Sequence, residues 1–264
     1  MKAPQIRTPW PDAPQRWLAT TSSTMDEAAS LQRKGAPHGT LIVADHQTAG
    51  RGRNGRTWVS APGKNLLFSV LLDTQVVAPS ALLPLRVGAT VSLAIDELVA
   101  LHGSDGARPQ VKWPNDVVMG GHKVAGVLCD LSGDRVIVGV GVTCNQRRGL
   151  PDGPYAARSL RQLLGVRVDR WALLESVLQH LHQTVAVAPD RGAASVSAIE
   201  TLLYGMGMAV SIDEAPRGLP DRGVVEGLAA DGALLVRDQH GQTHRYYSGR
   251  LLPAAAPSRI SSRT

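Results

Sequence analysis

Only two cysteines occur in the 264 residues, Cys129 and Cys144, which excludes a disulfide framework and a multi-cysteine zinc site. Both lie in apolar runs and read as buried thiols of a reducing compartment. No stretch approaches the roughly 18 apolar residues of a membrane span. The start, MKAPQIRTPWPDAP, has no apolar core region for a secretory signal. The expectation is a cytoplasmic protein with no membrane partner. G-x-S-x-G, H-E-x-x-H and C-x-x-C are missing, so hydrolase and zinc readings have no support. Lysine is scarce as well: 23 of the 28 cations are Arg, and only Lys2, Lys34, Lys64, Lys112 and Lys123 are Lys. A lysine inside an apolar strand is then informative, because its point charge can approach a developing anion.

What is present is globular: 43% hydrophobic and 19% charged residues, in a chain long enough to bury a core without staples. The net charge of +6 is modest, and residues 206–264 hold seven Arg against six acids. Such a spread does not suggest a dedicated DNA binder. Residues 1–20 hold four prolines and read as an irregular arm. A T-x-x-E capping box at Thr24 and Glu27, with Gly35 as the stop, predicts a helix over 25–34. Apolar runs at 40–45 and 65–72 predict buried strands, and 82–101 a buried helix. Strand runs at 110–119 and 122–131 flank the hairpin signal Gly120-Gly121, and 135–145 follows beside them. Helices are expected at 169–187, capped by Asp169, and at 195–203. After Gly205-Met206-Gly207 short strands recur every 8–12 residues, as in a small barrel or sandwich. The expected class is α+β, with a mixed or antiparallel sheet and packed helices over 1–205, a small barrel over 206–253 and a frayed tail over 254–264.

Gly50, Gly52 and Gly55 spell G-x-G-x-x-G after a predicted strand. A dinucleotide fingerprint needs a helix to open at that loop, and RTWVSAPGKN, with Pro62 and Gly63, cannot supply one. Charge is the stronger signal: from His46 to Leu72 there is no Asp or Glu, while Arg51, Arg53, Arg56 and Lys64 all fall there. Such a loop is expected to be mobile when empty and to be ordered by a phosphate or carboxylate; a plain solvated loop is the competing reading. Lys112 opens K-W-P-N-D, and Lys123 lies across the Gly-Gly turn. An inward lysine needs an anionic partner, and Asp116 is the nearest acid, unless either lysine snorkels to solvent. Pro114 interrupts the strand, so Asn115 and Asp116 can face a pocket. Asp116 alone is a weak candidate for Mg²⁺.

These pieces together resemble the biotin–protein ligase family. The resemblance is carried by S-S-T (22–24), Q-T-A-G-R-G-R-N-G-R-T-W (47–58), N-L-L-F-S (65–69), K-W-P-N-D (112–116), K-V-A-G (123–126) and G-V-G-V (139–142), and runs from about residue 20 to 253. It implies a class II synthetase-like catalytic domain and an SH3-like C-terminal barrel. The implied activity has two steps: biotin and MgATP give biotinyl-5′-AMP and pyrophosphate, and a lysine of a biotin carboxyl carrier protein then takes the biotin. By the same resemblance Lys123 is the catalytic lysine, with Arg53 and Asp116 beside it. Ser23, Thr24 and Gln47 bind the ureido ring, and Gly50, Arg51, Gly52 and Arg53 cover biotin and phosphate. Arg51, Arg53, Arg56, Trp58, Lys112, Asn115 and Thr143 fall on the nucleotide side, and Asp116 on the metal side. Without the resemblance, Thr24 could equally cap a helix and Trp58 fill core. Met25 and Thr143 depart from the family pattern, which has Asn at both places; Asn145 shares a strand face with Thr143 if the strand stays regular that far. The roughly 20 residues before the S-S-T motif are too few for a helix-turn-helix, so a ligase without DNA binding is expected, as a monomer or weak homodimer. The alternatives are a lipoate-type ligase of the same fold and a nucleic-acid module using the 46–64 cations.

Overall fold

The computed structural model describes residues 6–77, 80–102, 106–186 and 192–253. Its larger sheet has seven strands: β1 (Gln15–Leu18), β2 (Leu41–Ala44), β3 (Leu66–Asp73), β4 (Pro109–Lys112), β5 (Asp116–Met119), β6 (His122–Ser132) and β7 (Arg135–Val142). They lie in the order β1-β2-β3-β7-β6-β5-β4. The β1–β2 pair is parallel and every other pair antiparallel. Among the described residues five helices accompany it: α1 (Thr24–Gln32), α2 (Leu83–Leu101), α3 (Leu160–Leu164), α4 (Arg170–Ala186) and α5 (Gly192–Glu200).

Strand alternation sorts the two faces. Leu66, Phe68, Val70 and Leu72 of β3 and Val136, Val138, Val140 and Val142 of β7 join α2 and α4 in the main core. Leu71 and Ile137 point the other way and meet Met25 and Ala28 of α1. Gly139 and Gly141 lie on that second face: a Cβ there would meet Met25 and Trp58 at 2.7 and 2.5 Å.

Several expectations change. The arm is not wholly irregular: residues 15–18 form β1, and Trp17 packs edge-on against Trp171 at 4.5 Å. Ser23, not Thr24, caps α1, its hydroxyl accepting from Met25 N. The interruption at Pro114 reverses the chain, so 110–119 is a hairpin that pairs Lys112 with Asp116 rather than one broken strand. Helix α3 is an addition to the expected elements, although Ser159 and Gln162 close a complete capping box at its start. Gly120 and Gly121 turn as read, with φ of 57° and 76°.

The second sheet holds β8 (Ala209–Asp213), β9 (Arg222–Leu228), β10 (Leu234–Arg237), β11 (Thr243–Tyr246) and β12 (Arg250–Pro253). All its pairs are antiparallel, in the order β11-β10-β9-β8-β12. Among the described residues its end strands do not pair, so the small barrel or sandwich expected here is seen as an open five-stranded sheet. Its core of Val210, Ile212, Val225, Leu234, Val236, Tyr246 and Leu251 is continuous with Leu82 and Leu85 at the start of α2, with Trp113, and with Ile199 of α5. The tail expected over 254–264 lies outside the described residues.

Candidate active site

The α1 face of the larger sheet carries a cavity of about 250 Å³. Its floor is made by absence. Gly126 on β6 and Gly141 on β7 leave room for the Trp58 indole, which lies where their Cβ atoms would stand, at 3.0 and 2.5 Å. Trp58 is therefore neither loop decoration nor ordinary core: it lines the cavity, and its buried Nε1 has no hydrogen-bond partner among the described residues.

One end is neutral and polar. Gln47 Oε1 accepts from Thr24 N at 2.8 Å and from Thr24 Oγ1 at 3.0 Å. Ser69 Oγ donates to Thr24 Oγ1 at 2.8 Å. Because Ser23 holds the cap, Thr24 is free for this chain of hydroxyl and amide, and Ser23, Thr24 and Gln47 all line the cavity. Gly50 does not line it. A side chain there would strike the Trp58 carbonyl at 2.6 Å and Gln47 Nε2 at 2.9 Å, so this glycine permits the close approach of two parts of the loop.

The other end is charged. Lys123 Nζ stands 2.6 Å from Asp116 Oδ1 and 5.6 Å from the centre of the Trp58 ring. Lys112, buried on β4, is 3.9 Å from Asp116 Oδ2 and lies over the Tyr155 ring at 4.5 Å. Burial pulls the Lys112 ammonium down to about 8, against the opposing attraction of Asp116. Asn115 is pinned by its amide to Val127 O at 2.6 Å and by its own carbonyl to Val127 N at 2.9 Å. Its Oδ1 accepts from Arg53 Nη1 at 3.3 Å, and burial lowers the Arg53 guanidinium below its ordinary value. Arg51, Arg53, Arg56, Lys112, Lys123 and Arg250 surround the cavity, and Asp116 is the single acid among the described lining residues.

The loop that lacks acids in its own sequence finds them elsewhere. Arg51 pairs with Asp26 of α1 at 3.3 Å and Asp130 of β6 at 2.9 Å, and Arg56 with Glu214 at 2.9 Å. Gly52 and Thr143 line the cavity as expected. Asn145 is engaged away from the cavity. Its side-chain amide bonds both to Val168 N and to Val168 O, each at 2.9 Å, so it does not replace the Asn absent at 143. The lining residues that carried no sequence signal include Tyr155, Gly249 and Arg250. Tyr155 sits in a loop without periodicity, and burial beside Tyr204 raises its phenol.

The donor set does not fit a resident metal. No group of three His, Cys, Asp or Glu side chains occurs among the described residues. The Asp116 oxygens face two ammonium groups instead.

Comparison with known proteins agrees with this geometry. Residues 17–146 match the model of the Biotin/lipoate A/B protein ligase family. The chain is 31% identical over 258 residues to the biotin–[acetyl-CoA-carboxylase] ligase of Paracoccus denitrificans, covering 90% of this chain and 97% of that one. It is 29% identical to the bifunctional ligase/repressor BirA of Bacillus spizizenii, over 83% of this chain and 68% of the relative. Among solved structures, the biotin protein ligase from Aquifex aeolicus in complex with biotin and ATP superposes with a TM-score of 0.78 at 30% identity, over 90% of this chain and 97% of that one. A full-length relative, a superposable structure and a cation-ringed cavity behind the Arg-Gly loop lead to one assignment: this chain belongs to the biotin protein ligase family.

Proposed function

We infer that this chain joins biotin to AMP at the cost of ATP and then passes biotin to a lysine of a biotin carboxyl carrier protein. One observation supports the reading above the rest: six cations and one carboxylate surround a cavity that has one neutral, polar end. A carboxylate attacking a triphosphate brings like charges together, and fixed cations stabilise the charge that gathers in the transition state.

The neutral end, Ser23, Thr24 and Gln47, suits the ureido ring, and the glycine-and-indole floor suits the apolar tail. The biotin carboxylate then reaches Lys123 and Arg53. Its oxygen attacks the α-phosphorus; that O–P bond forms as the bond to pyrophosphate breaks. Arg51, Arg56, Lys112, Asn115, Thr143 and Trp58 take the nucleotide side. Magnesium enters with the phosphates, as part of the substrate, and Asp116 serves chiefly to hold Lys123. The 51–58 loop shields the mixed anhydride from water. In the second step the carrier amine attacks the acyl carbon, the C–O bond to AMP breaks, an amide forms and the amine loses a proton. We read residues 206–253 as an SH3-like unit beside a catalytic unit of 1–205. A nucleic-acid role for the 46–64 cations finds little footing, because Arg51 and Arg56 are held by carboxylates.

The test is biotin-dependent exchange of labelled pyrophosphate into ATP, with lipoate as the control substrate. Exchange with biotin is expected. No exchange, or exchange with lipoate alone, overturns the reading.

A further inference from the structure

The second sheet reaches the cation-rich loop through Glu214, the residue after β8. Glu214 Oε1 accepts from Arg56 Nη2 at 2.9 Å, and Oε2 from Asn54 Nδ2 at 3.4 Å. Asn54 lies within, and Arg56 directly after, a single 3₁₀ turn, Arg53–Gly55, which sends Arg53 inward to Asn115. The turn is thus fastened at two points, to Asn115 on the cavity side and to Glu214 on the outside. Glu214 is itself held in place. Its φ is 60°, a left-handed conformation that disfavours side chains other than those of Gly, Asn and Asp. Its backbone N–H donates to Asp213 Oδ1 at 3.1 Å, and Asp213 pairs with Arg250. Glu214 engages one of the five N–H donors of the Arg56 guanidinium, while Arg56 still lines the cavity.

We propose that Glu214 is a positioning residue of the second sheet, which holds Arg56 and the 53–55 turn against the nucleotide side and so slows escape of the adenylate. The proposal rests on the ligase function inferred above. Ion pairs this exposed contribute little singly, so the effect is small but directional.

The test uses the full chain with Glu214→Gln and Glu214→Gly. The glycine variant removes the carboxylate at a φ that glycine accepts, which keeps the turn unstrained. Each is expected to raise the KM for ATP and the release rate of biotinyl-AMP by roughly fivefold, the upper end for an exposed pair. The kcat of exchange should stay within about twofold. On an Arg56→Ala background, Glu214→Gln should add nothing, since the two residues act as one contact. In the substrate-free chain, amide exchange at Gly52 and Arg56, which bond within the loop, should speed up in both variants. Unchanged or slower adenylate release overturns the proposal, and so does an effect that persists undiminished without Arg56. Absence of exchange in the parent chain defeats the ligase reading alone, because the amide-exchange measurement still decides whether Glu214 holds the loop.

Discussion

At the scale of single residues the site turns on two lysines with opposite environments. Lys123 is partly exposed and 2.6 Å from Asp116, so its loss removes a charge from the reaction without opening the core. Lys123→Ala is expected to slow pyrophosphate exchange by about 10²–10³-fold, the usual cost of one transition-state donor, with an unchanged melting temperature. Near-parental exchange would remove Lys123 from the chemistry. Lys112 is buried, and its ammonium is pulled down to about 8. Its folded pKa lies below its unfolded one, so the unfolded chain binds more protons between pH 8 and about 10.4 and stability rises with pH in that window. Below pH 8 the burial cost is complete, on the order of 3 kcal/mol. Lys112→Met should therefore stabilise the fold at pH 7, with an advantage over the parent that shrinks as denaturation is repeated from pH 8 to 10. A constant difference across that range would contradict the assignment. The pairing of Lys123 with Asp116 was legible because Asp116 stands across the Gly120-Gly121 turn, whereas Asp130, equally far in sequence, lies further along the strand of Lys123 itself. Tyr155 under Lys112 was not, because 43 residues separate them and no spacing rule joins a loop to a strand.

Among elements, local pattern served well wherever neighbours in sequence are neighbours in space. The alternation of β3 and β7, the Gly120-Gly121 turn and the Asp169 cap of α4 all follow from a few adjacent residues. Pattern failed where two local signals competed. Ser23 and Thr24 can each cap α1. The structure gives the cap to Ser23 because Gln47 and Ser69 claim the Thr24 hydroxyl. The run 110–119 looked like one broken strand because both halves are apolar, and that pattern outweighed the turn residues Pro114, Asn115 and Asp116 around which the chain reverses. The glycines of β6 and β7 gain meaning only from the loop that folds over them. At Gly141 a methyl would lie 2.5 Å from the indole, well inside contact distance, so the whole ring must shift. Gly141→Ala should lower kcat/KM for biotin activation by at least about tenfold and change the Trp58 fluorescence, which Trp58→Phe would identify. Unaltered kinetics in Gly141→Ala would show that the ring has room to give and does not shape the floor.

Across the whole molecule, the texture change after Gly207 marked where the second sheet begins but not how it joins the first. The join is made by residues far apart in sequence, such as Arg56 and Glu214, or Trp113 and Gly232, and no local pattern records such pairs. Trp113 is the strongest of these links. It sits in K-W-P-N-D, is 1% exposed, donates Nε1–H to Gly232 O at 3.3 Å, and packs in the core of the second sheet. The motif that supplies Lys112, Asn115 and Asp116 to the cavity therefore also anchors the second sheet. Gly232 fits this contact closely, since a Cβ there would stand 2.7 Å from Leu82 N. Trp113→Ala leaves a large cavity between the sheets and should cost about 3–5 kcal/mol. Because the apolar cluster spans both sheets, the parent should unfold in one cooperative step, and the variant should lose that cooperativity. Calorimetry checks both points. Two resolved transitions in the parent would mean that the sheets are energetically independent, and the link through Trp113 would then carry no stability.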